Sequence, residues 1–419
     1  MTFASRLANQ PQLRPFRSRD FRFLWLGLAT SLLGDGMLFV AMPWLVLSLS
    51  DTTAALATIG VAMAVAALPA ALLAGALVNR FGARRVMLFG DGSRAVVLVL
   101  IGLLDLTDRL TLWQVAVGLA VFAAGEAVFI PAFGAMVQSV VVEGDLIGAN
   151  AADQILRPLM WRLIGPALGG LLVAGVGAGM VFFLDALTFA VSFCCLLAIG
   201  AERGPTVRAG TSMLADTVAG WHYVWRTRWL FYAFVAGSIS VIFVMGPWNV
   251  LVPYFVRTDM QRGAEIYGLI LSVGGIGQAA GALLVGRSRM SRSTLVVLYL
   301  AWAVTAGGLI GFTVGARLLP ALIGSFVINA ALAVSAVLWG AVLQTAVPRA
   351  FVARVFGIDW ALAQLLTPIS YVLASSFAGV TSTRTGLLVA AVGGLACVPA
   401  VLVFRSARRL PAAVVGAVA

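Results

Sequence analysis

Twelve long apolar runs, spread over the whole chain, constrain this sequence more than any other feature. They fall at 21–49, 56–78, 86–104, 112–142, 151–176, 180–199, 230–256, 266–285, 295–314, 318–347, 355–380 and 389–404. A helix rises about 1.5 Å per residue, so a run of some twenty residues crosses a hydrocarbon core about 30 Å thick. The runs are continuous rather than alternating, which excludes a membrane barrel. Only 11% of the residues are charged and 61% are hydrophobic, where soluble domains carry about 25% charged residues. The expected fold class is therefore an all-α polytopic membrane protein with twelve transmembrane helices.

Arginine sets the orientation. All 28 basic residues are Arg. With both termini in the cytoplasm, Arg6, Arg14, Arg17, Arg19, Arg22, Arg80, Arg84, Arg85, Arg203, Arg208, Arg226 and Arg228 lie inside. So do Arg287, Arg289, Arg292, Arg349, Arg354, Arg405, Arg408 and Arg409, against Arg109, Arg257, Arg262, Arg317 and Arg384 outside. Twenty against five is a strong positive-inside bias. It accounts for the net charge of +12 without nucleic acid, which is not an expected partner. The polar, Arg-rich N-terminus has no short apolar region with a cleavage site, so no signal peptide is expected. Expected localisation is the cytoplasmic membrane of a bacterium, the all-Arg, Ala/Gly/Val-rich usage pointing to a GC-rich genome.

Enzymatic readings find no support in the residues. A chain without Lys has no phosphate-binding Gly-x-x-x-x-Gly-Lys loop. His222 is a lone histidine in the middle loop, and Cys194 and Cys195 are adjacent within an apolar run, so neither disulfide nor metal spacing exists. No catalytic residue, metal site or cofactor is expected.

The chain repeats itself. Pro43-Trp44 is echoed by Pro247-Trp248 at an offset of 204, Gly75…Arg80 by Gly281…Arg287 at 206, and Pro166 by Pro368 at 202. Parallel six-helix halves of this kind are a transporter pattern. The expected organisation is an N-terminal bundle over 1–200, a cytoplasmic linker over 201–228 and a C-terminal bundle over 229–419. Within the linker, Met213, Leu214, Val218, Trp221, Val224 and Trp225 recur at three- and four-residue steps, the pattern of an amphipathic helix on the inner membrane surface.

Ionisable residues at bilayer depth mark function by default, since a charge there costs at least about 2.5 kcal/mol on insertion scales. Asp35 lies in the first span, Glu126 in the fourth, and Arg162 roughly 18 Å into the fifth. A carboxyl group held away from water titrates nearer neutral pH than an exposed one, as proton-coupled transport requires. The competing reading is that Arg162 neutralises one of the two acids. Asp153 and Arg157, four apart, read as a structural pair. Asp185 is expected near the outer interface, Asp359 near the gate arginines, and Trp44 and Trp113 in an aromatic belt. The second half offers Trp248, Asn249, Gln278, Asn329 and Gln344, with Phe243 and Phe326 nearby, as substrate contacts.

Several runs resemble a known family. Twelve spans in two halves with a cytoplasmic middle loop resemble the major facilitator superfamily over essentially the full chain. The loop Gly75-Ala76-Leu77-Val78-Asn79-Arg80-Phe81-Gly82-Ala83-Arg84-Arg85 is similar to its signature between helices two and three. Gly165-Pro166-Ala167-Leu168-Gly169-Gly170 is similar to the fifth-helix motif of its drug–proton antiporters. Arg19-Asp20-Phe21-Arg22-Phe23-Leu24-Trp25, Pro131-Ala132-Phe133 and Arg354-Val355-Phe356-Gly357 resemble its macrolide and siderophore exporters.

The resemblance implies that helices one, four, seven and ten line a central cavity, with Asp35 and Glu126 facing it, and that the fifth-helix motif seals it against proton leak. In the gate loop, Gly82 permits a tight turn and Gly75 a close helix approach, while Arg80, Arg84 and Arg85 bind acids and helix C-terminal carbonyls. Asn79 stands where the family usually carries Asp; an amide cannot supply the charged part of a latch. Asp91 is either the arginines' replacement partner or the partner of Arg94 one turn on. Gly165 and Gly169 form a small-residue face, and Pro166 bends its helix. The expected function is proton-coupled efflux of amphipathic small molecules, drug-like or natural products, by a monomer whose partners are substrate, protons and the bilayer. The alternatives are a lipid or lysolipid flippase and a solute importer on the same scaffold.

Overall fold

The computed structural model describes residues 14–200, 213–285 and 293–408. Arg6, Arg203, Arg208, Arg287, Arg289, Arg292 and Arg409 of the orientation argument lie outside them, as does the linker over 201–212. Among the described residues, twelve helices are long and apolar enough to cross a membrane. They are Arg19–Leu49, Thr53–Phe81, Ala83–Leu106, Leu112–Val140, Gly148–Val176, Ala178–Ala198, Arg228–Thr258, Ala264–Val285, Thr294–Phe312, Leu318–Ala346, Phe351–Val380 and Thr383–Val403, called the first to twelfth helices below.

Local chemistry sets several boundaries. Ser18 caps the first helix, its Oγ accepting from the Phe21 N–H at 3.4 Å, with Asp20 in the positive first turn. The Gln114 side chain accepts from the Thr111 N–H at 2.8 Å to start the fourth. Gly82, at φ 84°, makes the sharp reversal between the second and third helices that a side chain would strain.

Two helices are locally underwound into wide π turns. The fifth widens over Pro158–Ile164 and resumes as an α-helix at Gly165; the seventh widens over Pro247–Leu251. Proline lacks the N–H that would bond four residues back and its ring crowds that carbonyl, so the ladder opens beside it. The seventh helix shows the opening atom by atom. The Ser370 hydroxyl of the eleventh helix donates to the Ile242 carbonyl at 2.6 Å and accepts from the Gly246 N–H at 2.7 Å. A fully buried side chain thus stands between two backbone groups that an α-helix would join directly.

The described residues cluster into two compact units. The first comprises those of Met1–Asp51, Thr58–Arg208 and Gly263–Ser272, the second those of Thr52–Ala57, Ala209–Arg262 and Val273–Ala419. In the first unit the first helix packs along the sixth and fifth, and the third along the fourth and sixth. The start of the eighth helix belongs to this unit: the Ser272 hydroxyl donates to the Leu163 carbonyl at 2.8 Å. Trp44 stacks on Tyr267 at 5.2 Å. Trp113 is two-thirds exposed, as a belt residue is. In the second unit the seventh helix packs against the ninth, eleventh and twelfth around Leu230, Phe234, Tyr299 and Trp339. The linker helix forms over Met213–Arg226 and docks on the eleventh helix, with Tyr223 stacked on Phe351 at 4.8 Å.

Candidate functional site

The first unit gathers ionisable side chains from the first, third, fourth and sixth helices. Asp91 and Arg94 form its anchor. Arg94 Nη2 donates to Asp91 Oδ1 at 2.6 Å, and the Ser192 hydroxyl donates to Asp91 Oδ2 at 2.6 Å. Both charged side chains are almost completely buried. The Arg94 guanidinium also lies 4.2 Å from the Phe189 ring centre, 4.8 Å from Phe129 and 5.8 Å from Phe122. Ring faces are negative, so the three replace part of the hydration the cation has lost. Of the two expectations for Asp91, the local pair holds. Its carboxylate is used up inside the bundle and does not serve the gate arginines.

Asp185 is the second correction. It is fully buried, not interfacial. Its Oδ1 accepts from the Thr188 hydroxyl at 3.0 Å, and its Oδ2 is buried with no hydrogen-bond partner. A Cβ at Gly34 would collide with Asp185 Oδ1 and Thr188 Oγ1, so the missing side chain at Gly34 is what admits Asp185 against the first helix. The next residue is Asp35.

Asp35 is partly buried, with its Oδ1 enclosed and without a hydrogen-bond partner. The charged groups that act on it are Asp185, Arg94, Glu126 and Asp91. Glu126, also partly buried, follows Gly125, whose carbonyl backs onto Gly90 of the third helix. Arg162 does not neutralise either acid. Its Nε is enclosed without a partner and its guanidinium lies over its neighbour Trp161 at 4.3 Å. Arg94, not Arg162, is the cation of this cluster. Asp153 and Arg157 pair as expected, with Nε 2.9 Å from Oδ2.

The fifth-helix motif touches the first helix beside Asp35. A Cβ on Gly165 would stand 2.6 Å from the Gly36 Cα, and one on Gly169 would stand 2.6 Å from the Met37 carbonyl oxygen. Only glycine allows backbones this close. Gly170 faces the other way, with Ala264 and Gly268 of the eighth helix against it, and the Pro166 carbonyl meets Gly268 as well. The π turn ahead of Pro166 carries Arg162.

The gate loop behaves as its chemistry dictates with one exception. Arg84 Nε and Nη2 donate to the Leu196 and Leu197 carbonyls at 2.8 and 2.7 Å, capping the C-terminal end of the sixth helix. Arg80 lies over Phe81 at 5.4 Å, and Asn79 and Arg85 are exposed. The exception is Gly75. It is exposed with nothing within 4 Å of a notional Cβ, so no helix approaches there.

In the second unit, Trp248 packs edge-on against Phe312 at 6.1 Å, and Asn329 fits against Gly274 while donating to the Ser325 carbonyl at 3.0 Å. Both are buried inside the unit. Asn249 donates to the Met245 carbonyl at 2.9 Å and keeps partial exposure; Gln344 is exposed. Asp359 stands in the wall of a pocket with Trp302 and Trp339.

Asp185 and Ser192 were within reach of the sequence. Positions 185, 188 and 192 put Asp, Thr and Ser on one face of an apolar helix, and such a polar stripe needs a buried partner.

The comparisons with known proteins agree with this architecture. The family profile described as "Transmembrane secretion effector" matches residues 10–414. The chain is 29% identical over 363 residues to the multidrug efflux pump Tap of Mycolicibacterium fortuitum, covering 82% of this chain and 86% of that protein. It is 25% identical over 340 residues to the MFS-type transporter YfiS of Bacillus subtilis, covering 77% and 78%. Among solved structures, a bacterial homologue of the iron transporter ferroportin superposes with a TM-score of 0.67 at 16% identity over 93% of this chain and 99% of that one. The nucleoside transporter NupG does so with 0.66 at 13%, over 90% and 98%; at such identities the likeness is one of fold. With twelve spans and a profile match over nearly its whole length, the chain belongs to the transmembrane secretion effector family of major facilitator transporters.

Proposed function

We propose that this chain exports amphipathic small molecules from the bacterial cytoplasm in exchange for protons, by alternating access, as a monomer with both termini inside and no cofactor. One observation carries the reading. Four carboxyl groups, Asp35, Asp91, Glu126 and Asp185, come from the first, third, fourth and sixth helices of one unit; Asp91 takes the guanidinium of Arg94, while Asp35 Oδ1 and Asp185 Oδ2 are enclosed without a hydrogen-bond partner. Charges in low dielectric must be paired or neutralised. The cation deficit leaves places for exchangeable protons, and Asp35, partly exposed and beside the Gly36–Gly165 contact, is the one poised to trade its proton. The efflux assignment of the Tap relatives supports the direction and the drug-like substrate class.

The test uses everted membrane vesicles energised to an acid lumen, with uptake of the lipophilic cation ethidium as the readout. Accumulation that disappears when a protonophore collapses the gradient supports the reading. Uptake indifferent to the gradient overturns it. The unpaired guanidinium of Arg162 favours a second reading, movement of a phosphate-bearing lipid. Fluorescent lysolipid translocation in proteoliposomes, lost in Arg162→Gln, would move the assignment there.

A further inference from the structure

Asp359 is the only acidic residue in the seventh and the ninth to twelfth spans. It stands in the wall of a pocket of about 160 Å³ bounded by the seventh, ninth, tenth and eleventh helices. Three aromatic rings surround the same space. Trp302 and Trp339 meet edge to face at 5.9 Å, and Phe234 meets Trp339 at 5.8 Å. The hydroxyls of Ser238 and Ser240 add neutral polar groups, and no basic side chain lines the wall.

A second hollow of about 250 Å³ adjoins the first. The two share Phe234, Ser238 and Leu362 in their walls, so the same side chains border both. The outer end of the second hollow is formed by Trp221 and Trp225 of the linker helix and by Phe231. Trp221 is 42% and Trp225 57% exposed, although the helix bearing them is clamped to the eleventh through Tyr223 and Phe351. An amphipathic helix of this kind lies at the headgroup level of the inner leaflet, where amphipathic compounds collect.

We propose that these adjoining hollows form a recruitment subsite for lipophilic organic cations arriving from the inner leaflet. Their aromatic bodies pass Trp221 and Trp225, and the positive charge comes to rest at Asp359 beside Trp302 and Trp339. A carboxylate with tryptophan rings and no competing base selects a monocation with an apolar body, because ring faces and carboxylate attract the same charge in a site poor in water. Together the hollows reach the low end of the roughly 300–1,000 Å³ typical of drug-sized ligands. The proposal rests on the export reading, with Asp359 supplying capture and Asp35 the proton exchange.

The test is equilibrium binding of radiolabelled tetraphenylphosphonium to the purified full-length protein in nanodiscs, with no proton gradient. A photoactivatable aryl-azide phosphonium maps the contact. Asp359→Asn should raise Kd by at least about tenfold, the loss of one desolvated charge contact. Asp359→Glu should hold Kd within about threefold, and Trp225→Ala should slow association more than it changes Kd. The label should attach to the peptides carrying Phe234, Trp339 or Leu362. Wild-type protein that binds no tetraphenylphosphonium, an unchanged Kd in Asp359→Asn, or a label confined to the first unit overturns the proposal. Loss of binding in both Asp359 variants with unchanged melting also overturns it, because the longer carboxylate keeps the charge. The binding assay has no proton gradient and the vesicle assay depends on one, so a failure of proton exchange and a failure of this subsite are separate results.

Discussion

Replacing Arg94 with methionine removes the one cation that the acid cluster has while keeping a side chain of similar reach. Asp91 would be left fully buried with a single donor, the Ser192 hydroxyl at 2.6 Å. Removing one member of a buried pair costs about 3–5 kcal/mol, most of it the penalty of the charge left behind. Loss of the contacts to Phe189, Phe129 and Phe122 adds about 1–2 kcal/mol, since they are desolvated. Asp91→Asn should cost less than Arg94→Met, because Arg94 keeps its three rings and the nearby acids Asp35 and Asp185 still act on it. In the double variant Asp91→Asn/Arg94→Met no member of the pair is charged and Ser192 can still bond the amide. The two changes should therefore be strongly non-additive, with a coupling of at least about 2 kcal/mol. Equilibrium unfolding of the four proteins in mixed micelles of a mild detergent and dodecyl sulfate measures it. Additivity to within about 0.5 kcal/mol would refute the assignment of Arg94 as partner of Asp91.

Other consequences follow from the same contacts. Ser370→Ala should destabilise by about 2 kcal/mol, because it orphans the buried Gly246 N–H and Ile242 carbonyl together; the same unfolding assay reads it. Gly165→Ala should cost about 1–3 kcal/mol through its clash with Gly36, and Gly75→Ala, with open space around it, no more than a few tenths. Asp153→Ala should cost less than about 1 kcal/mol, since its pair with Arg157 is partly solvated at 33% and 21% exposure. Export driven by proton exchange should weaken as the cytoplasmic side is acidified, because the proton carried inward must be released to that side before the next turnover. Initial rates in everted vesicles at stepped external pH would show this, and a rate that rises with acid would contradict it.

The fold was legible because the bilayer leaves a chain few choices. Continuous apolar runs and arginine placement determine twelve helices without any knowledge of packing. Local pairs were legible too: Asp91 with Arg94 and Asp153 with Arg157 lie at helical spacing and meet. What the sequence could not reveal were meetings between distant helices. Asp185 looked interfacial by its distance from a helix end, yet Gly34 on another helix opens the space that buries it. Asp359 looked like a gate residue by its place one turn beyond the cytoplasmic edge of its span, and it lines a pocket with Trp302 and Trp339. Gly75 fitted a motif that implies close packing, and in this chain nothing packs there. Rotation about the helix axis decides such cases, and hydropathy so uniform around the helices carries little information about rotation.

The central claim is that Asp35 exchanges a proton for substrate. Its most direct test is lumenal pH in proteoliposomes holding wild-type or Asp35→Asn protein and the dye pyranine, with a lipophilic cation gradient as the only driving force. The account predicts proton movement opposite to the cation in wild type. It predicts none in Asp35→Asn. Proton movement of wild-type size in Asp35→Asn would contradict it and pass the exchange to Glu126 or Asp185.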